Sequence, residues 1–408
     1  MGKKLNAGYG CIFGTYWMIY AVVSSFASVF LLAKGYTNSQ IGITLALANV
    51  LAVIMQPIVA DFADRSKKLG VIGVTEIMTA MMMVFTLGLY IFKSGGAGIC
   101  VAFVLLIGWH TVLQPLFNGL TFRLEETGHA INFGIARAVG SLAYSLLVAV
   151  LGTLTTKFGI WILPLTSEIT CLLLMASLIF VGINYSRAKG ISEAEERMKQ
   201  PATCEGATEE VEEITLLQFV RRNKLFLVVN IGVIGLFFSN AILNNYMAQI
   251  VEGVGGTTED MGRILSVMAA LEIPTMVMFD RIKKHFSCQL LLKIAAMGFA
   301  IKIAICWLAN SVAMLYVGQI FQLVSFALWL PSIVYFTDEI MSRGEAIKGQ
   351  ALFTTMVTAT TIASSLIGGW ILDGLGPKML TFIATIVTAA GAVLIIAVVD
   401  KVKREREV

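Results

Sequence analysis

The sequence predicts an all-α membrane protein whose twelve transmembrane helices form two six-helix pseudo-repeat halves. Three observations carry this. First, 57% of the 408 residues are hydrophobic and only 14% charged, with a mean hydropathy of +0.82. That is more apolar surface than a water-soluble domain hides, and a bilayer hides it in helices of about 20 residues. Second, Asp64-Arg65-Ser66-Lys67-Lys68 returns 216 positions later as Asp280-Arg281-Ile282-Lys283-Lys284. Ser39-Gln40-Ile41-Gly42 resembles Glu259-Asp260-Met261-Gly262, with Gly42 and Gly262 220 apart, and Gly152 and Gly159 match Gly369 and Gly376 at 217. Repeats in the same direction at roughly the same offset indicate internal duplication. Third, Lys and Arg concentrate in alternate loops.

The apolar runs place spans at 8–33, 40–62, 71–92, 97–122, 134–156 and 160–184, then at 222–250, 258–280, 288–309, 312–337, 345–372 and 376–399. The first span follows Lys3 and Lys4 with no small-residue cleavage pattern, so it reads as a retained helix and not a signal peptide. Spans 2 and 8 each end at a D-R-x-K-K loop, and spans 3 and 9 begin beyond it. Arg123 follows span 4, Arg187 and Lys189 follow span 6, and Arg221, Arg222 and Lys224 flank the start of span 7. Arg343 and Lys348 flank span 11, and Lys401, Lys403, Arg404 and Arg406 follow span 12. The opposite loops carry Lys34, Lys93, Lys157 and Lys378. Both termini and both D-R-x-K-K loops are therefore expected in the cytoplasm. Residues 185–221 are polar, with Pro201 and glutamates at 193, 195, 196, 205, 209, 210, 212 and 213, and read as a solvated linker. The expected domains are 1–184, the linker 185–221, and 222–408 with its basic tail.

Composition also excludes functions. The net charge of +4 sits in short loop clusters and gives no nucleic-acid surface. Six scattered cysteines form no C-x-x-C pair, so neither a disulfide framework nor a metal site is expected. The three histidines, His110, His129 and His285, lie far apart, and no P-loop or catalytic motif is present. An enzyme is not expected, and no cofactor.

Twelve spans, a polar central linker and a duplicated D-R loop resemble the major facilitator superfamily. Its loop between helices 2 and 3 reads roughly G-x-x-x-D-R-x-G-R-R/K; here Ala60 and Lys67 replace the two glycines. A narrower resemblance lies in Phe133-Gly134-Ile135-Ala136-Arg137-Ala138-Val139-Gly140, similar to the helix-5 opening F/Y-G-x-x-R-x-x-G of the lactose-permease-like branch, which includes oligosaccharide:proton symporters and aromatic-acid and nucleoside permeases. Leu271-Glu272-Ile273-Pro274 and Lys348-Gly349-Gln350-Ala351 are similar to the same branch. The departures are Gln322 and Ser325, where the lactose permease has His and Glu, and Lys302, where the branch has arginine. The resemblance implies secondary transport by alternating access, the two halves rocking about a site near the bilayer midplane, in a monomeric plasma-membrane protein. It also implies that Asp64, Arg65, Asp280 and Arg281 act as cytoplasmic gates.

Ionisable residues inside spans are costly and therefore informative. Arg137 offers a rigid fork of donors to hydroxyls or carboxylates, or else reaches the interface. Glu272, two residues before the helix-breaking Pro274, either carries a coupling proton or pairs with Lys302. Lys302 pairs with Glu272 or binds solute. His110 is a second candidate for proton coupling, against a packing role. Glu76 and Glu168 lie nearer span ends and read as interfacial. Trp17 and Tyr20 with Tyr16, Gln114 and Asn118, Asn244 and Asn245 with Asn240 and Tyr246, and Gln322 and Trp329 with Gln319 are candidates to line a solute cavity. The expected solute is a sugar, oligosaccharide or nucleoside driven by the proton gradient. The alternatives are an aromatic acid or drug-like metabolite, taken up or expelled, and, more remotely, a non-transporting sensor.

Overall fold

The computed structural model describes residues 1–66, 69–92, 94–198, 219 and 222–407. Among these, eleven helical stretches are long and apolar enough to span a bilayer, and the last, Glu345–Val402, turns into two at Gly376. This gives the twelve expected helices, with no strand among the described residues. They are α1 (Gly2–Ala33), α2 (Asn38–Arg65), α3 (Gly70–Ile91), α4 (Ala97–Glu125), α5 (Phe133–Phe158), α6 (Ile162–Met198), α7 (Lys224–Asn245), α8 (Thr258–His285), α9 (Cys288–Leu308), α10 (Val312–Ile340), α11 (343–375) and α12 (377–407). Large apolar side chains stay exposed along their outer faces, such as Val84, Phe122 and Val277. That is what a lipid-facing surface requires.

Local chemistry sets the ends. Asn132 caps α5, its side chain accepting from the Ile135 N–H at 2.9 Å. Thr257 and Asp260 form a capping box on α8, whose last turn carries Lys283, Lys284 and His285 against the helix dipole. The duplication is visible in the backbone. Gly159 and Gly376 close α5 and α11 with φ of 89° and 79°, a left-handed conformation that favours glycine.

Helix α6 runs to Met198, so the expected linker is helical over 185–198; its remainder, with Pro201 and Arg221, lies outside the described residues, as do Lys67, Lys68 and Lys93. Three spans expected to be continuous are broken. Helix α1 contains the π-helical turn Ala21–Ser25, α7 ends at Tyr246 before the short helix Met247–Glu252, and α10 contains the 3-10 turn Phe321–Leu323. None of these breaks holds a proline or glycine, which is why hydropathy read through them.

Residue contacts group the chain into two units, Met1–Tyr36 with Leu47–Thr208, and Thr37–Ala46 with Glu209–Val408. In the first, α1 packs on α5 and α6, and α3 on α4 and α6. In the second, α7 packs on α12 where Gly232 and Gly235 face Gly391. A Cβ on Gly391 would fall 2.5 Å from the Gly232 carbonyl, so only glycine lets these backbones approach. Phe226, Phe237, Phe299, Trp329, Phe336 and Ile395 fill that unit's core. The short segment Thr37–Ala46 is capped there: Asp373 accepts from the backbone N–H of Asn38 at 3.0 Å and of Ser39 at 2.7 Å.

Candidate functional site

Each unit gathers one cluster of its own. In the first, Tyr16 and Tyr20 recur one turn apart on α1, with Trp17 beside them. His110 of α4 stacks on Tyr16 with centroids 4.2 Å apart and planes 8° from parallel. Its Nε2 lies 3.0 Å from the Tyr16 carbonyl oxygen. A carbonyl only accepts, so Nε2 carries the proton and donates. Trp17 meets Tyr16 and Tyr20 edge-on at 5.5 and 5.2 Å. The Arg137 guanidinium lies 4.1 Å from the Trp17 ring centre. The R-x-x-G spacing now has a cause. A Cβ on Gly140 would fall 2.4 Å from Trp17 Cδ1, so Gly140 makes room for the ring whose face Arg137 covers.

In the second unit, Lys302 Nζ donates to Gln322 Oε1 at 2.5 Å, and Gln322 Nε2 donates to Glu272 Oε1 at 2.7 Å. Lys302 and Gln322 are 2% and 1% exposed, while Glu272 is half-buried. The break in α10 positions this chain. Its 3-10 turn holds Gln322, and Gly298 of α9, one turn before Lys302, accepts the distorted backbone: a Cβ there would fall 2.7 Å from the Val324 carbonyl. Thr275, following Pro274, donates to the Leu323 carbonyl at 2.9 Å and satisfies an acceptor the break exposes.

Other expected residues fall elsewhere. Trp329 is wholly buried in the second unit's core, which removes it from any solute-lining role in this conformation. His110, at 1% exposure under the Tyr16 ring, is packed away from water. Gln114 is half-buried and Asn118 exposed, and among the described residues no hydrogen bond ties either to the aromatic cluster. Asn244 turns back onto the Asn240 carbonyl at 2.8 Å, and Asn245 donates to Ser365 Oγ at 3.0 Å. Asp64 pairs with Arg123 at 3.2 Å and Arg65 with Asp61 at 2.7 Å, all within the first unit. Asp280 accepts from Tyr335 at 3.4 Å, and Arg281 is exposed. Sequence reading missed Tyr144, whose hydroxyl lies 2.9 Å from Ser25 Oγ below Tyr20, and the Asp373 cap. These pairs are 119 and 335 residues apart, and nothing local announces them.

A family model described as the MFS_1 like family matches residues 10–404. The chain belongs to that family. Among solved structures, the chain is similar to a point-mutant form of the nucleoside transporter NupG, with TM-score 0.77, 13% identity, and coverage of 97% of this chain and 99% of that one. A second NupG structure gives TM-score 0.70 at 14% identity, covering 98% of each chain. A bacterial homologue of the human lysosomal transporter Spinster, inward-facing and unoccupied, gives TM-score 0.63 at 12% identity, again covering 98% of each. No curated protein matches. At these identities the neighbours establish the fold, a multi-pass all-α transporter fold, and not the solute. The protein is a membrane transporter and not an enzyme.

Proposed function

We propose that this transporter is a proton-coupled symporter that takes up a small polar organic solute, a sugar, oligosaccharide or nucleoside, by alternating access. The observation that carries the reading is the chain Lys302–Gln322–Glu272. A charge at a helix centre costs roughly 2.5–3.5 kcal/mol on insertion scales, so intramembrane charges joined by an amide are retained for use. Glu272 is the coupling carboxylate. Trp17 and Tyr20 offer flat faces to a sugar or base, and Arg137 offers donors to its hydroxyls. The nucleoside option rests on these aromatic faces. Gln114, Asn118, Asn244 and Asn245 are outer contacts at most. Asp64, Arg65, Asp280 and Arg281 act in gating at the cytoplasmic ends, and the protein works as a monomer in the plasma membrane with both termini inside.

A second reading, transport of an aromatic acid or drug-like metabolite, is favoured by Arg137 lying against Trp17, since a cation beside a carbon-rich wall suits a ring bearing a carboxylate. One experiment separates them. Proteoliposomes are given a radiolabelled panel of sugars, nucleosides and aromatic acids, with and without an inward proton gradient, for wild type and Glu272→Gln. Gradient-driven accumulation of a sugar or nucleoside, lost in Glu272→Gln while exchange persists, is the expected result. Accumulation that ignores the gradient or survives the substitution overturns the coupling assignment.

A further inference from the structure

The second unit holds a cavity of about 380 Å³ whose lining reaches Cys306, one helical turn from Lys302. Its lining includes Gly255, Asn310, Pro377, Lys378 and Thr381 at the ends of four helices, and Cys306 of α9. Cys306 lies one turn beyond Lys302 on the same face of α9, and the two are 3% and 2% exposed. Gln319 of α10 lies behind Cys306, away from the cavity surface. Its Nε2 reaches Cys306 Sγ at 3.8 Å and the Leu315 carbonyl at 3.4 Å, while its fully buried Oε1 has no hydrogen-bond partner among the described residues. A cavity with room for roughly a dozen waters that ends on Cys306, with an orphaned buried acceptor on the residue touching that thiol, is what the inner end of a wet passage looks like.

We propose that this cavity is a proton route to Lys302, separate from the solute path, and that the proton crosses the unit as two linked titrations. The inference rests on the coupling reading above. An amide does not pass a proton from one side to the other, so Gln322 cannot relay one. It can report charge, because among the described residues its Oε1 accepts from Lys302 and its Nε2 donates to Glu272. A buried ammonium is held by its counter-charge, so the chain has two balanced states: Lys302 charged with Glu272 charged, and both neutral. When the solute path faces inward, Glu272 releases one proton into it and Lys302 takes one from water in the cavity. When the path faces outward, Glu272 takes one proton from it and Lys302 returns its own to the cavity. Each turn carries one proton across at Glu272, and the unit's net charge never changes. A lysine can do this and an arginine cannot, since guanidinium keeps its proton. The titratable and charged groups facing the route are Glu272 of α8, Lys302 and Cys306 of α9 and Lys378 of α12. Lys378 is held at the rim by the Ala309 carbonyl at 3.2 Å and Asn310 Oδ1 at 3.3 Å.

The test uses the full chain in two arms. In a variant retaining only Cys306, with the other five cysteines replaced by serine, the membrane-impermeant trimethylammonium-ethyl methanethiosulfonate is applied from each side separately. Labelling is expected from the side bearing Gly255, Asn310 and Pro377, and from that side only. The label lowers the ratio of gradient-driven uptake to exchange by about tenfold or more. In Lys302→Arg the same ratio is expected to fall as far, although the charge is kept. No labelling from that side, or a label that lowers driven uptake and exchange in equal proportion, overturns the route. Gradient-driven uptake retained in Lys302→Arg overturns the linked titration. Wild type that never accumulates solute on a gradient overturns the coupling reading itself, whereas the labelling arm reads water access without it.

Discussion

The two units repeat one scaffold and solve different problems on it. Moved back 216 positions, Glu272, Lys302 and Gln322 fall on Gln56, Thr86 and Leu106, none of them charged. Moved forward by the same step, Trp17, His110 and Arg137 fall on Val233, Phe326 and Phe353, all apolar. Phe326 and Phe353 pack on Phe237 with centroids 6.2 and 5.6 Å away. Each unit therefore carries its polar cluster where the other has an uncharged or apolar one. Chemistry differs as sharply. Arg137 is half-buried and rests on an aromatic face, so it keeps its charge near water and binds by stacking. Lys302 is almost fully buried, and its ammonium is held by the Gln322 amide, which in turn meets the Glu272 carboxylate. On the proposed function the comparison implies a division of labour, with solute recognition in the first unit and the ion in the second.

The strongest way to break that comparison is to unbalance the second cluster. Glu272→Gln leaves Lys302 buried without its counter-charge, and removing one partner of a buried pair costs about 3–5 kcal/mol. Lys302→Met leaves Glu272, which is half-buried and keeps some water, so its cost is smaller. The double variant removes both charges and recovers stability toward wild type, though not coupling. Thermal unfolding in detergent of the two single variants and the double one checks the order. Equal losses, or no recovery in the double variant, would mean that the charges do not balance one another.

A middle-sized effect is expected in the first unit. Gly140→Leu drives the Trp17 ring off Arg137, and Arg137→Lys replaces the planar cation by a point charge. Each removes a stacking contact of about 1–2 kcal/mol, or roughly 5–30-fold in solute affinity. Apparent KM should rise while the ratio of driven uptake to exchange stays level. If that ratio falls with KM, recognition and coupling are not divided between the units.

What the sequence made legible follows from range. Hydropathy and the repeat offset are local or periodic signals, and the twelve helices and the pairing of Gly159 with Gly376 followed from them; the positive φ that both share comes from the structure. Arg137, Glu272 and Lys302 stood out because charge in lipid is costly wherever it points. Gln322 was visible as a departure from a family pattern and as a polar side chain in a span, not as a bridge. Its place between Lys302 and Glu272 depends on a helix break that no proline or glycine announces. Trp329 misled for the opposite reason. An aromatic side chain in a span reads the same whether it faces a cavity or the core, and here it faces the core.

The smallest effect sharpens the comparison most, because it asks whether any part of the coupling lies in the first unit. His110→Phe keeps a flat ring against Tyr16 and loses only the bond to the Tyr16 carbonyl, worth about 1 kcal/mol. If His110 only packs, melting falls slightly and the pH profile of gradient-driven uptake does not move. If the histidine exchanges protons with the solute path, replacing it shifts that profile, and more than the small stability loss accounts for. A shifted profile would place a titrating group on the aromatic side and end the division between a recognising unit and an ion-holding one. An unmoved profile would leave the Lys302–Gln322–Glu272 chain to account for the coupling.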